Sequence, residues 1–535
     1  DALRLAQTEN RGRTGRFVSG DNARALFDVK GGLTSFAATD VINATGADDR
    51  ITLGARDTTG DLGLQVVIGG VGSDYVEVRA SSRSEDVVFG DSGAFERQGL
   101  SYERLSVRST SPDKGGDDTL ITGSGDKTLI GGAGSDKITV NTTQLSDSVL
   151  LHGDNASLTY DPVGSGMLQR FESIELGVGG DDQIKVGAGD LVLLGGYGRD
   201  RLEVTADTRQ FRAIGGDNAS LSFGLDGNGK RVLTDWVSTD ATVSTGDGDV
   251  IQVGQVGAAQ ADMGEAILVG GQGSDTIAVS GATAKVVMAG DNIELHRTAS
   301  GQLLSVASLN PDQGAYDSLT TVDGDTVVIG GAGGDTIRSG SGNSIVLGDS
   351  GRVVYDASGS GKLRQVTSTG LSLGGNDDIQ VGRSGATADG DKVIIGGGGS
   401  DKIQVNSVAG TAAKQENRVR STANPERFVA GDNASMQFDT AGRLTDFLTL
   451  DTDPSTGGND EIRIVMSGVR LNGSPITDVN VVAGGVGNDL IDVSGSTRSR
   501  DVISGDNLEF HRTDGSDADA TRRYQTLYAE VVNPS

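Results

Sequence analysis

A hexapeptide rich in glycine and aspartate, Gly-Gly-x-Gly-x-Asp, recurs along this chain of 535 residues. It alternates with a shorter motif, Gly-Asp-Asn or Gly-Asp-Ser. Such regular self-similarity is typical of tandem-repeat proteins, in which each unit buries its apolar face only against its neighbours. The hexapeptides span 69–74, 131–136, 195–200, 270–275, 330–335, 396–401 and 484–489, and the shorter motif starts at Gly20, Gly90, Gly153, Gly216, Gly290, Gly348, Gly431 and Gly505.

The motifs divide the sequence into seven full repeats and a truncated one. We expect each repeat to contain about two stacked coils and a hairpin, with looser insertions near Gln255–Asp262 and Thr411–Arg427. The array is expected to continue beyond both ends of the chain. The repeats are 1–90, 91–153, 154–216, 217–290, 291–348, 349–431 and 432–505, and 506–535 starts the truncated repeat.

The spacing of aspartates inside a repeat predicts a flattened coil. Asp118, Asp126 and Asp136 are separated by two similar intervals, which together equal the length of two nonapeptides. Short apolar segments fill these intervals, and they have the length and residue types of brief strands on alternate sides of a coil. The same spacing recurs at Asp182, Asp190 and Asp200 and at Asp317, Asp325 and Asp335.

Each Gly-Asp motif is followed by an alternation of apolar and polar residues. Ser157–Tyr160 alternates in this way, Gly164–Gly166 forms a turn signal, and Leu168, Phe171 and Ile174 continue the pattern. This is the signal of an antiparallel hairpin. With 84 glycines, 7 prolines and 4% aromatic residues, the composition favours turn-rich β structure around a narrow core. The predicted fold is therefore all-β and elongated, with tandem parallel β-roll (solenoid) layers interrupted by antiparallel hairpins.

Charge and composition exclude several classes of function. The formal net charge of -29 disfavours nucleic acid and anionic membranes as partners, and it opposes compaction unless cations neutralise it. The sequence contains no cysteine, which rules out disulfides and thiolate metal sites. Apolar runs such as Leu191–Leu194 are far shorter than the roughly 20 residues that span a bilayer. Cations are therefore the first partner to consider.

The hexapeptide followed by x-apolar-x resembles the nonapeptide of the RTX, or haemolysin-type, calcium-binding repeats. The resemblance covers about half of the chain and implies a parallel β-roll whose glycine-rich turns bind calcium. It also implies secretion, typically by a type I system. The sequence departs from the family because its nonapeptides are not continuous, and Asp249 and Asp275 lie too far apart for two nonapeptides alone. Metal occupancy is therefore expected to vary between repeats.

Calcium also fits the residues on chemical grounds. It takes six to eight hard oxygen ligands, and a glycine-rich turn exposes several carbonyls while its aspartate adds charge. Stacked turns would together complete a site. The best candidate ligands end the hexapeptides: Asp74, Asp136, Asp200, Asp275, Asp335, Asp401 and Asp489. Next come Asp118, Asp182, Asp249, Asp317, Asp377 and Asp460 of the acidic turns, and Asp126, Asp190, Asp325 and Asp391 of the opposite edge.

The aspartates of the Gly-Asp motifs have two possible roles. Each could complete a calcium site or cap a turn through its side chain, and the alternative for all of these turns is hydrogen bonding without metal. The residues concerned are Asp91, Asp154, Asp217, Asp291, Asp349, Asp432 and Asp506.

A structural function is favoured over catalysis. The Gly370–Gly374 segment matches a serine-nucleophile pattern but leads into an acidic turn, and carboxylate pairs recur in every repeat whereas a catalytic pair should be singular. The expected function is a calcium-stabilised extracellular stalk, surface-layer, matrix or filament segment. The expected partners are calcium, further copies in head-to-tail contact and cell-surface polysaccharide. The alternative is a polysaccharide-acting enzyme or carbohydrate-binding module, for which Trp236 is the only aromatic lead.

Overall fold

The computed structural model describes the fold of most of the chain. The described residues are 2–5, 15–39, 46–54, 63–79, 84–98, 103–162, 166–205, 210–240, 246–254, 262–281, 283–383, 390–408, 426–451, 456–467, 479–494 and 500–511. Within these ranges all regular elements are β-strands. The chain divides into two compact units, the first comprising residues 1–281 and 299–301 and the second comprising 282–298 and 302–535.

The strands of the first unit form three sheets, which we name the outer, central and hairpin sheets. The parallel outer sheet contains β1 (Ala2–Leu5), β5 (Arg50–Leu53), β7 (Tyr75–Val78), β11 (Thr119–Thr122), β13 (Lys137–Val140), β17 (Gln183–Val186), β19 (Arg201–Val204), β23 (Val250–Val253) and β25 (Thr276–Val279). The parallel central sheet contains β2 (Arg16–Ser19), β6 (Leu64–Ile68), β8 (Glu85–Phe89), β12 (Asp126–Ile130), β14 (Ser148–His152), β18 (Asp190–Leu194), β20 (Gln210–Gly215) and β24 (Asp262–Val269). The antiparallel hairpin sheet contains β3 (Ala23–Phe27), β4 (Leu33–Ala38), β9 (Gly93–Arg97), β10 (Arg104–Ser109), β15 (Ala156–Tyr160), β16 (Leu168–Ser173), β21 (Ala219–Leu225) and β22 (Arg231–Ser238).

The second unit contains the same three kinds of sheet. Its outer strands are β29 (Ser318–Thr320), β31 (Thr336–Ser339), β35 (Asp378–Val381), β37 (Lys402–Val408), β41 (Glu461–Ser467) and β43 (Leu490–Ser494). Its central strands are β26 (Thr283–Ala289), β30 (Asp323–Gly331), β32 (Ser344–Asp349), β36 (Lys392–Gly397), β38 (Glu426–Asp432), β42 (Val479–Ala483) and β44 (Arg500–Ser504). Its hairpin strands are β27 (Ile293–Arg297), β28 (Leu303–Ser308), β33 (Gly351–Tyr355), β34 (Leu363–Ser368), β39 (Ala434–Phe438), β40 (Leu444–Thr449) and β45 (Glu509–His511).

The chain visits the sheets in a fixed order within each repeat. It runs from an outer strand to a central strand, repeats that pair once, and then makes a hairpin, as in β11 to β16. Equivalent residues of successive coils pair in parallel register: Leu120 pairs with Ile138, and Ile329 pairs with Leu347. Both pairs have the separation of two nonapeptides that the aspartate spacing predicted. The prediction of parallel all-β layers interrupted by antiparallel hairpins is confirmed.

Burial patterns distinguish the three sheets. The central strands are buried along most of their length, and Val66, Val67 and Ile68 are each 0% exposed. Outer strands alternate, so that in β13 Ile138 is buried while Lys137 is exposed. A parallel strand that is covered on both faces requires a continuous apolar run, whereas a strand covered on one face requires alternation. The central sheet therefore lies between the outer sheet and the hairpin sheet.

Aromatic side chains join the hairpin sheet to the central sheet. The ring centroids of Phe17 in β2 and Phe36 in β4 are 5.7 Å apart, and those of His152 in β14 and Phe171 in β16 are 5.9 Å apart. Trp236 is 1% exposed, and a Cβ added at Gly215 would lie 2.9 Å from its ring. Trp236 is thus a packing residue of the hairpin sheet.

Two features differ from the sequence prediction. The hairpins join into a continuous sheet that the sequence did not predict, because each pairs with the next: β10 pairs with β15, and β16 pairs with β21. Asp262 begins β24, and Glu426 begins β38, although both were assigned to insertions. The rest of those predicted insertions, residues 255–261 and 411–425, lies outside the described residues, as do 512–535 of the truncated repeat.

Candidate functional site

The turns that precede the outer strands stack along one edge of each unit, which we name the acidic edge. The last residue of each turn is an aspartate whose Oδ1 accepts a hydrogen bond from the backbone N–H of the corresponding aspartate one coil earlier. Asp136 accepts from Asp118 at 2.7 Å, and Asp182 accepts from Asp136 at 2.7 Å. This aspartate ladder contains Asp49, Asp74, Asp118, Asp136, Asp182, Asp200, Asp249 and Asp275 in the first unit and Asp317, Asp335, Asp377, Asp401, Asp460 and Asp489 in the second.

The ladder keeps its register across segments of different length. Its partners are 18 residues apart at Asp118 and Asp136, but 26 apart at Asp249 and Asp275 and 59 apart at Asp401 and Asp460. The hydrogen bonds have similar lengths, 2.7 Å, 2.7 Å and 2.8 Å, in these three cases. The extra residues therefore leave the stack of turns intact, including in the fourth repeat.

The second carboxylate oxygen of the ladder aspartates is poorly satisfied. In Asp136 and Asp182, Oδ2 is buried and has no hydrogen-bond partner. Burial of a carboxylate oxygen without a donor is unfavourable, because the oxygen loses its hydration and no protein hydrogen bond replaces it. The same holds for Oδ2 of Asp74, Asp118, Asp200, Asp249, Asp335, Asp377, Asp401, Asp460 and Asp489.

Burial also makes the charged form of these carboxyls unfavourable. It raises the pKa of Asp74 and of Asp335 to about 7 and that of Asp460 to about 8, from an ordinary value of 3.8. The pKa of Asp182 is raised by burial and then by the charges of Asp200 and other aspartates, against one backbone hydrogen bond. The ladder is therefore a column of like charges in a poorly solvated place.

Further oxygens lie beside the ladder in the same turns. Gly134 has φ of +106°, and a Cβ added there would lie 2.6 Å from the carbonyl oxygen of Gly116 in the preceding turn. This turn carbonyl thus points along the stack, and a glycine is required opposite it. On the exposed side, Asp117 Oδ1 accepts the N–H of Ser135 at 2.8 Å, and Ser135 Oγ accepts the N–H of Asp181 at 3.0 Å.

The aspartates of the Gly-Asp motifs cap the stacked turns. Asp91 accepts the N–H of Ala133 at 2.5 Å through Oδ2 and that of Gly116 at 3.3 Å through Oδ1. These hydrogen bonds are those of a turn cap, which is one of the two roles that the sequence left open. Asp154, Asp217, Asp291, Asp349 and Asp432 accept backbone N–H groups in the same way. Asp506, by contrast, is exposed.

The four aspartates predicted for the opposite edge do not form a second ladder. Asp126 Oδ1 accepts the N–H of Ser148 at 2.9 Å, and Asp190 Oδ2 lies 3.6 Å from Lys230 Nζ. Asp325 accepts the side-chain amide of Asn343 at 2.8 Å, and Asp391 accepts the N–H of Glu426 at 2.8 Å. We name this side, where the central strands begin, the open edge. The two edges therefore differ in how their aspartates are bound.

A buried ion pair near the open edge was missed by the sequence analysis. Lys127 Nζ in β12 lies 2.9 Å from Asp86 Oδ2 in β8, and both side chains are 0% exposed. Lys127 also donates to Ser84 Oγ at 3.0 Å and to the carbonyl oxygen of Ser124 at 2.7 Å. The two charged residues are direct neighbours in the central sheet, so their pairing follows from register. Only that register, which joins residues of two different repeats, could have indicated it.

The acidic edge offers oxygen ligands but no preformed carboxylate cluster. Among the described residues, no group of three or more His, Cys, Asp or Glu side chains is arranged to hold a metal ion. A cation at this edge would therefore take ligands from more than one turn and from backbone carbonyls as well as carboxylates. The buried, partnerless Oδ2 atoms fit a hard cation, because they are hydrogen-bond acceptors that lack donors.

Comparisons with known proteins give no relative for this chain. No family model, no curated protein and no solved structure matches it. In the part of the chain that the structure describes, no helix has the length and apolar character needed to cross a membrane.

Proposed function

We propose that this chain is a calcium-stabilised structural repeat segment of an extracellular protein, with Ca²⁺ bound along the acidic edge. The observation that supports this proposal is the aspartate ladder, in which like charges are buried one above another. The groups acting on Asp182 are burial, other aspartates and a backbone N–H, with no cationic side chain among them. A bound divalent cation would provide the missing positive charge.

The donor set favours calcium over other metals. The edge presents carboxylate oxygens of the ladder and of exposed residues such as Asp117, together with turn carbonyls such as that of Gly116. Calcium accepts many oxygen ligands at flexible angles, whereas Mg²⁺ demands regular octahedral geometry and zinc prefers nitrogen and sulfur. Ladder Oδ2 atoms, with neighbouring turn carbonyls, would hold the ion. The resemblance of the hexapeptide to RTX repeats points to the same metal.

A structural role is favoured because the arrangement recurs. The hydrogen bond between Asp118 and Asp136 has counterparts at nearly every turn, down to Asp460 and Asp489 at 3.0 Å. A catalytic carboxylate pair has a distinct partner and a distinct environment, and repetition supplies neither. Repetition does suit a segment whose stiffness is set by a bound ion.

The extracellular location follows from linkage between calcium and folding. If calcium binds the folded ladder more tightly than the unfolded chain, each site stabilises the fold increasingly as calcium concentration rises. Calcium is scarce in cytosol and millimolar outside cells, so the chain would stay loose before export and stiffen after it. Type I secretion, as in RTX proteins, is compatible with this order of events.

Association with further repeats or copies is part of the proposal. The residues of β3, the edge strand of the hairpin sheet in the first unit, are all exposed, and Phe27 is 61% exposed. The corresponding β9 is covered by its neighbours, and its Phe95 is 0% exposed. A preceding hairpin in head-to-tail contact would cover β3 in the way that β4 covers β9. Cell-surface polysaccharide is proposed as the material to which such an array is anchored.

The decisive experiment is thermal unfolding of the full chain, followed by far-UV circular dichroism, in calcium, in magnesium and in chelator. We expect the midpoint in millimolar calcium to exceed that in chelator, and magnesium to have a much smaller effect. Adding calcium back to the chelated protein should restore the β signal. Identical unfolding curves in calcium and chelator would overturn the proposal.

A further inference from the structure

A cleft of about 280 Å³ opens between the central sheet and the hairpin sheet at the open edge of the first unit. Its floor is formed by the beginnings of central strands, and its walls are formed by hairpin residues from three repeats. The side chains that carry the argument are Arg104, Asp126, Ser148, Tyr160, Asp190 and Arg231. The cleft is separate from the acidic edge, because these residues lie at the other end of the central strands.

Arg231 is a half-buried cation without a carboxylate partner among the described residues. Its Nη2 donates to Ser148 Oγ at 3.0 Å, and its Cζ lies 5.5 Å from the ring centroid of Phe223. No ion pair joins it to a carboxylate of the described residues. Burial lowers the pKa of Arg231, which the more distant charges of Asp190 and Asp126 only partly oppose. A half-buried guanidinium that lacks an ion-pair partner favours an anion that binds its planar fork.

Arg104 lines the same cleft and has a carboxylate partner, although its Nε is buried without a hydrogen-bond partner. It forms an ion pair with Glu85 and donates to Thr128 Oγ1 at 3.3 Å and to Tyr160 OH at 3.5 Å. It therefore has less need of an external anion than Arg231 has. The two arginines have the same charge, but the chain provides a carboxylate for only one of them.

Asp190 supplies the opposite kind of group to the cleft. Its Oδ1 is buried and has no hydrogen-bond partner, while its Oδ2 lies 3.6 Å from Lys230 Nζ. The carboxylate of Asp126 also lines the cleft, and its Oδ1 accepts a hydrogen bond from Ser148 N. The cleft thus combines Arg231, which has no carboxylate partner in the described part of the chain, with Asp190 and Asp126, whose carboxylates can accept further hydrogen bonds.

We propose that this cleft binds a polyhydroxy carboxylate, with the ligand carboxylate on Arg231 and ligand hydroxyls donating to Asp190 and Asp126. A simple anion would satisfy Arg231 but would offer no hydroxyl donors to the two aspartates. A neutral sugar would satisfy the aspartates but leave Arg231 without an anion. Only a molecule that carries both groups matches all three residues, and this inference does not depend on calcium binding at the acidic edge.

The second unit has a smaller cleft at the corresponding place. Its volume is about 70 Å³, and Asp325, Tyr355 and several valines line it. Asp325 is engaged with the side-chain amide of Asn343. The space is too small for a sugar-sized ligand, so the proposal is restricted to the first unit.

The test is isothermal titration of the full chain in calcium with sodium glucuronate, glucose and sodium acetate as probes. We expect glucuronate to bind with a stoichiometry of one per chain, and glucose and acetate to bind at least about tenfold more weakly. Arg231→Gln should weaken glucuronate binding by about tenfold to a hundredfold, because it removes a charge-assisted hydrogen bond. Asp190→Asn should weaken it less.

Arg108→Gln is the matched control, since Arg108 is an exposed arginine of β10 and does not line the cleft. It should leave glucuronate binding unchanged, and circular dichroism verifies that each variant is folded. The proposal fails if glucuronate does not bind, if acetate or glucose binds equally well, or if Arg231→Gln and Arg108→Gln behave alike. Such a failure would leave the calcium dependence of unfolding untouched, so the two proposals are tested separately.

Discussion

The two edges of the stacked sheets handle buried charge in opposite ways. At the acidic edge, Asp136 lies between Asp118 and Asp182, and each aspartate meets another aspartate. Near the open edge, by contrast, Asp86 meets Lys127 at 2.9 Å. The buried pair is neutralised within the chain, and the aspartate ladder is not. The chain thus supplies the counter-charge for a buried carboxylate near one edge, whereas at the other edge the counter-charge has to come from a proton or an ion in solution.

This difference predicts where stability depends on solution conditions. A buried pair of opposite charges is balanced without a bound ion, whereas a column of like charges requires protons or cations. Conditions that change protonation or metal occupancy should therefore act on the acidic edge, and substitutions at the buried ion pair should act independently of them.

The largest effect is expected from pH in calcium-free solution, because it acts on the whole ladder. Burial raises the pKa of Asp74 and Asp335 to about 7 and that of Asp460 to about 8, above the ordinary 3.8. Between these values the folded state binds more protons than the unfolded state, so the free energy of unfolding falls as pH rises. We expect the thermal midpoint in chelator to decrease from about pH 5 to about pH 8.

Calcium should remove this decrease, because a calcium ion bound as proposed would compete with protons for the ionised carboxylates. The stabilisation by calcium should accordingly be greater at about pH 8 than at about pH 5. A midpoint in chelator that rises over this interval would contradict the proposed state of the ladder carboxyls.

The next largest effect is expected at the buried ion pair. Asp86→Leu leaves the Lys127 ammonium buried without its carboxylate, and removal of one partner of such a pair costs about 3–5 kcal/mol. Chemical denaturation should show this loss in calcium and in chelator alike. The double variant Asp86→Leu with Lys127→Met should recover most of it, because both charges are then absent. A loss that appears only in calcium would mean that the two edges are coupled.

Much of the acidic edge could be predicted from the sequence. The spacing of Asp118, Asp126 and Asp136 predicted coils two nonapeptides long, and the structure stacks Asp118 directly against Asp136. This inference succeeded because the turn chemistry is local: glycines and an aspartate at fixed offsets define the turn wherever they occur. The hairpins were predicted for the same reason, from alternation over a few residues.

The open edge could not be predicted in the same way. Arg231 reaches Ser148 across 83 residues, and Arg104 reaches Tyr160 across 56, so both contacts depend on which hairpin lies beside which. Asp126 and Asp190 were predicted as candidate ligands of the opposite edge, and their contacts with Ser148 and Lys230 likewise depend on the neighbouring repeats. The uninterrupted apolar run Leu191–Leu194 was a signal for a sheet buried on both faces. This run indicated that both faces of the strand are covered, but it did not indicate which sheet covers each face.

The smallest expected effect is the change in stability caused by Asp136→Asn. It is the most discriminating, because its sign should differ between chelator and calcium. Asp136→Asn keeps the Oδ1 acceptor for the N–H of Asp118 but removes one buried charge from the ladder. In chelator, at a pH high enough to ionise the ladder, this substitution should stabilise the fold by about 1 kcal/mol, because a repulsive neighbour disappears. In calcium it should destabilise by a similar amount, because a ligand is lost.

Asp126→Asn is the control on the open edge, where the side chain is exposed, and it should change stability by less than about 0.5 kcal/mol in both solutions. If Asp136→Asn changed the free energy of unfolding in the same direction with and without calcium, the ladder would be a stack of ordinary hydrogen-bonded turns. The two edges would then not differ in the way proposed.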